Sequence, residues 1–113
     1  MLSVTYTRRS GTQTTSKQNR VLARELQRIL KRVTPRDTGK LIRGWRIANY
    51  SHTSFEVEDT VYYGYWLDQG NTRGLVGREF VERGVNRFES WYSSEYGHSI
   101  DKDYRIKIVR EEE

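Results

Sequence analysis

The chain has 113 residues, 35% of them hydrophobic and 31% charged, with a formal net charge of +5, which fits one compact domain with a small core and leaves no room for a second. It contains no cysteine, and this excludes a disulfide framework and any Cys-ligated zinc or iron–sulfur centre. No run approaches the roughly 18 apolar residues of a membrane span, and the N-terminal stretch lacks the apolar core of a signal peptide, so the expectation is a soluble protein made in a cytosol.

Leu2, Val4 and Tyr6 alternate with Ser3, Thr5 and Thr7, which makes residues 1–15 an N-terminal arm able to form a strand. Over Ser16–Val33 the period changes. Leu22, Leu26, Ile29, Leu30 and Val33 fall on one helical face, the clearest helix signal in the chain. The opposite face carries Lys17, Arg20, Arg24, Arg28 and Lys31, a basic ridge within a narrow arc at about 100° per residue. An exposed helix face is ordinarily charged and solvated; the sharper reading is contact with an acidic partner or with DNA, whose phosphates release counterions to Lys and Arg.

Pro35 forces Thr34 out of helical geometry, and Asp37 or Thr38 is placed to cap a short helix running through Leu41. Strands are predicted over Trp45–Ser51 and Ser54–Val61, with Phe55 and Val57 alternating against Glu56 and Glu58 and a hairpin closed by residues 51–54. Tyr62–Gln69, crowded with Tyr62, Tyr63, Tyr65 and Trp66, reads as a short helix ending at Gly70. Asn71–Gly77 reads as a mobile loop. A second long helix is predicted over Arg78–Ser94, where Val81, Gly84, Val85, Phe88 and Tyr92 share a face and Gly84 permits close approach of another backbone. Beyond Gly97, Tyr104, Ile106 and Ile108 alternate with Arg105 and Lys107 in a last strand.

The sum is an α+β domain, a small antiparallel sheet made of a central hairpin plus terminal strands and packed against two longer helices. Its parts are the arm over 1–15, a core over 16–97, and a C-terminal strand with an acidic tail over 98–113. Strands at both chain ends offer edges that could complete a neighbour's sheet.

Catalytic and metal-binding patterns are weak. His52 and His98 lie far apart with no second His at helical spacing, and scattered serines do not make a triad. Gly70, Gly74 and Gly77 lack both a GK[ST] ending and a GxGxxG frame. Glu56, Glu58 and Asp59 could in principle hold a divalent ion, but the alternation of Glu56 and Glu58 with apolar residues marks the wet side of a strand. Asp101 and Asp103 lack the glycine and distal glutamate of a calcium loop. No cofactor and no enzyme activity is expected. The aromatic stretch fits a core or a subunit interface better than a base-stacking platform.

Three segments together carry a resemblance: Thr34-Pro35-Arg36-Asp37-Thr38-Gly39-Lys40-Leu41, Tyr63-Gly64-Tyr65-Trp66-Leu67-Asp68-Gln69-Gly70-Asn71, and Phe80-Val81 at a helix start. In order and spacing they resemble the tail completion, or head-tail joining, proteins of long-tailed bacteriophages, a family with a Pro-x-Asp-Thr-Gly-x-Leu turn, a Tyr-Ala-x-x-x-Glu-x-Gly-Thr stretch and Pro-Phe opening a helix. The likeness covers about residues 16–91, and only the ordered combination of the short motifs is informative. Gly64 stands for the family's Ala, Asp68 for Glu, Asn71 for Thr and Glu79 for Pro.

The resemblance implies a virion protein of the phage neck. It would form a homo-oligomeric ring, often of six copies, between a head connector or stopper protein and the tail tube or terminator, with DNA passing through the centre. It carries over no catalytic residue. On this reading Tyr63, Tyr65, Trp66, Asp68 and Phe80 join subunits and Gly39 lets the turn before Leu41 close tightly, while the ridge of Arg20, Arg24, Arg28 and Lys31 faces either DNA or protein. The alternatives are a basic nucleic-acid-binding domain and a tail terminator or minor tail protein.

Overall fold

The structure is a computed structural model, and it describes residues 1–35, 39–61, 64, 68 and 79–111. The alternation at the start of the chain forms strand β1, Leu2–Arg8, and helix α1 follows over Ser16–Val33. Thr15 caps α1, its side chain accepting the Gln18 N–H at 3.0 Å. The helix stops where Thr34, the residue before Pro35, turns extended at ψ 132°. A short helix α2, Gly39–Gly44, leads into the hairpin of β2, Arg46–Tyr50, and β3, Ser54–Asp59. Helix α3 spans Phe80–Tyr96 and ends at Gly97, whose φ of 76° is the left-handed conformation that glycine adopts without penalty. One 3-10 turn, Ile100–Lys102, precedes β4, Tyr104–Arg110.

The α+β class expected from periodicity is the one observed: four antiparallel strands in the order β2-β3-β1-β4, with the helices on one face. The order corrects one expectation. The N-terminal strand is not an edge, because β1 pairs with β3 on one side and β4 on the other, so its hydrogen-bonding groups are used within the chain. The arm and the C-terminal strand are therefore parts of one sheet with the hairpin, which occupies one side of it. The free edges belong to β2 and β4.

The pairing aligns Val4 between Val57 and Ile108, and Tyr6 between Phe55 and Ile106. That row faces the helices. Tyr6 stacks on Phe55 at 5.2 Å and meets Phe88 of α3 at 5.3 Å, so one aromatic cluster binds sheet to helix. Three large buried aromatic side chains have their polar ends answered: the Tyr6 hydroxyl donates to Glu89 at 2.9 Å, Tyr104 donates to Asn19, and Trp45 Nε1–H donates to Thr34 Oγ1 at 2.8 Å. The stripe on α1 is buried as its period required, with Leu22, Leu26 and Leu30 almost wholly excluded from solvent.

Gly84 sets how closely α1 and α3 cross. A Cβ there would lie 2.7 Å from Leu30 Cδ2 and 3.1 Å from Val33 Cγ2, so the missing side chain is what admits the α1 stripe. Gly39, by contrast, opens α2 in an ordinary backbone conformation, and a Cβ there would first meet the flexible end of Arg43 at 3.1 Å. The turn expected before it runs through residues 36–38, which lie outside the described residues. Among the described residues, no helix is long and apolar enough to cross a membrane.

Candidate functional site

Two of the segments that carry the sequence resemblance meet at Asp68, and the first reaches the second through Leu41, which packs on Gly64. This carboxylate is fully buried. Its Oδ1 accepts the Val81 N–H at 3.0 Å, satisfying one of the free amides that open α3, and its Oδ2 accepts Arg110 Nε at 2.8 Å from the end of β4. Its main-chain carbonyl accepts the Glu79 N–H at 2.9 Å. Arg110 also donates to Glu82 of α3 at 2.6 Å. One buried acid thus ties a helix start to the last strand and closes the chain across residues 69–78.

Beside it, Gly64 is pressed against α2 and β1, since a Cβ would lie 3.0 Å from Leu41 Cδ1 and 3.2 Å from Leu2 Cδ1. Leu41, Phe80 and Val81 are fully buried around this joint. A small residue at 64 and a leucine at 41, far apart in sequence, are therefore one packing requirement.

Asp59 closes the opposite wall. It is buried against Gly44, where a Cβ would stand 2.5 Å from Asp59 Oδ1. Oδ1 accepts the Val61 N–H at 3.0 Å, while Oδ2 has no hydrogen-bond partner among the described residues. Burial pushes this carboxyl up to about 6, partly offset by the Val61 hydrogen bond. The alternation of β3 accounts for the burial, because Asp59 shares the inward side with Phe55 and Val57, whereas Glu58 points outward and pairs with Arg46 at 2.6 Å.

The start of α3 departs from the resembled pattern in a physical way. Glu79 has φ 50° and ψ 36°, a left-handed conformation that a non-glycine residue holds at a cost of about 1–2 kcal/mol and that proline cannot adopt.

Two of the expected interface residues, Asp68 and Phe80, are fully buried within the single chain, Asp68 by its ties to α3 and β4 and Phe80 by the core. Tyr63, Tyr65 and Trp66, and the expected helix and loop over Tyr62–Gly77, lie outside the described residues apart from Gly64 and Asp68.

The basic ridge is present but not uniform. Arg20 and Arg24 are exposed, with Arg20 over the ring of Tyr50 at 5.9 Å. Arg28 holds Glu25 in a two-pronged ion pair at 2.5 Å, and Lys31 is half-buried. Arg28 and Lys31 line a cleft of about 900 Å³ together with Arg32, Ile42 and Arg87. Arg32 follows Arg28 by one helical turn and was legible as an extension of the ridge. Arg87 was not, because only the packing of α3 on α1 brings it there.

The two histidines lie in separate connecting segments. His98 lies with Nε2 2.9 Å from Asp103 and Nδ1 3.1 Å from the Tyr96 carbonyl, a tether between the end of α3 and the start of β4. His52 is exposed in the β2–β3 turn. Among the described residues, no group of three or more histidines and carboxylates is placed to hold a metal ion. Comparison of the chain with protein-family models, with curated proteins and with solved structures finds no match.

Proposed function

We propose that this chain is a structural subunit of a bacteriophage neck, of the tail completion or head-tail joining kind, acting in the virion as a homo-oligomeric ring, with six copies expected, between a head connector or stopper protein and the tail tube or terminator. The observation that supports the proposal is that the three resembling segments, separated by up to about forty residues of sequence, are in contact, Leu41 of the first with Gly64 of the second, and Asp68 of the second with Val81 of the third. Motifs matched by chance have no reason to share a packing site, whereas motifs preserved for one scaffold do. In this reading the joint is a rigid base for the segment between Asp68 and Glu79, and that segment with Tyr63, Tyr65 and Trp66 makes the contacts between copies. DNA passes through the ring without being read by sequence.

The test is the mass of the purified protein in solution, by light scattering over a concentration series, alone and with candidate connector or tail-tube proteins. A ring-sized species, or a monomer that joins one of those partners, is the expected result. A chain that stays monomeric with every partner and instead binds DNA tightly at low salt would replace this reading with that of a basic nucleic-acid-binding domain.

A further inference from the structure

The cations of the helix layer are gathered in a groove. Helices α1 and α3 pack side by side, and along their outer seam the cleft lined by Arg28, Lys31, Arg32, Ile42 and Arg87 continues through Arg28 into a hollow of about 320 Å³ bordered by Val21, Arg24, Glu25 and Trp91. Among the described residues of this seam Glu25 is the one carboxylate, and it is already held by Arg28. Arg24, Lys31, Arg32 and Arg87 therefore repel one another across a recess whose described lining holds no further acid to offset them, an arrangement that a partner of opposite charge stabilises.

We propose that this seam is a docking groove for an acidic amphipathic helix of another protein. Three features select that occupant. Arg28 and Arg32 are one turn apart, about 6 Å along the axis, the spacing of carboxylates at positions i and i+4 on a helix lying alongside. The charged stretch has apolar ground at both ends, Val21, 46% exposed, with the half-buried Trp91 at one and Ile42 at the other, as an interface with apolar anchors and a charged rim requires. And the surface is recessed. A helix nests between two others at about 8–10 Å, whereas duplex DNA is read by a protein element that protrudes into its groove. The proposal does not depend on the neck reading, since it concerns a different face of the fold from the Asp68 joint.

The test uses a labelled, helix-forming peptide of roughly 18 residues, long enough to hold a helix, with glutamates at i and i+4 and leucines flanking them, and a control of the same composition in scrambled order. Binding to the full chain is followed by fluorescence anisotropy, alongside single- and double-stranded oligonucleotides. Arg32→Glu with Arg87→Glu, both exposed positions, is expected to weaken the ordered peptide about tenfold or more while leaving the circular dichroism and melting curve of the protein unchanged. Val21→Ser is expected to weaken it severalfold, and the scrambled peptide to bind less well than the ordered one. Equal binding of the two peptides, no binding of either, or indifference to Val21→Ser overturns the amphipathic-helix proposal. Oligonucleotide binding that is tighter than the peptide's and is lost in the double variant overturns it in favour of a nucleic-acid surface.

Discussion

Replacing Asp68 with alanine removes at least the two bonds its carboxylate makes to Val81 and Arg110. The Val81 N–H loses its 3.0 Å acceptor, and Arg110 Nε loses its 2.8 Å partner. Loss of a helix-start acceptor costs about 1 kcal/mol. Breaking a buried ion pair by deleting one partner costs about 3–5 kcal/mol, but Arg110 is 21% exposed and keeps Glu82 at 2.6 Å, which brings that part to about 2 kcal/mol. The total is about 3 kcal/mol. With an unfolding entropy of about 2.1 cal/mol/K per residue over 113 residues, this lowers the melting temperature by about 12 °C. Asp68→Asn retains the acceptor for Val81 and loses only the charge, so it should cost about half as much. Urea unfolding followed by circular dichroism reads both, and the cycle with Arg110→Ala should return a coupling of about 1–2 kcal/mol. A stability of Asp68→Ala within about 0.5 kcal/mol of the parent, or Asn as costly as Ala, would refute the account of Asp68 as cap and tie.

Other predictions concern single contacts. Asp59 is held above its unfolded value by burial, to about 6, so the native state binds the extra proton and wild-type stability should fall as pH rises from about 4 to about 6 and then level off. Asp59→Asn should abolish that part of the slope, and identical pH profiles for the two proteins in urea unfolding would disprove it. Gly84→Ala should destabilise by about 1–2 kcal/mol, because overpacking against the buried Leu30 outweighs the gain of up to about 1 kcal/mol in helix propensity; a raised melting temperature would mean that the helices can part without cost. Glu79→Gly should stabilise by about 0.5–1 kcal/mol by relieving the left-handed backbone, while Glu79→Pro should destabilise by about 3 kcal/mol or more, and equal tolerance of both would show that the chain does not pass through φ 50° there.

Some of this was written in the linear pattern. The alternation of Leu2, Val4 and Tyr6 and the stripe of Leu22, Leu26, Ile29, Leu30 and Val33 are local signals, because the neighbours that share a face lie two or three to four residues apart, and both elements formed where the period put them. Gly84 on the apolar face of α3 likewise announced a close approach. The burial of Asp59 was legible in the alternation of β3, but its carboxylate chemistry drew it into a group with Glu56 and Glu58.

What the amino-acid sequence determined by itself is the α+β class, the extent of α1 with its basic face, and the presence of α3, whose bounds lie two residues beyond the expected Arg78–Ser94, since each depends on short-range periodicity and on charge. Strand order, the joint at Asp68 and the basic seam were decided only in three dimensions. No local pattern distinguishes a terminal strand that closes a sheet's edge from one that enters its middle, and β1 took the middle because both its neighbours present matching apolar rows. Nor does any spacing place Asp68 beside Arg110, or Arg87 beside Arg28. Those pairs are 42 and 59 residues apart, and they meet because the core packs one helix against the other and returns the last strand to the first.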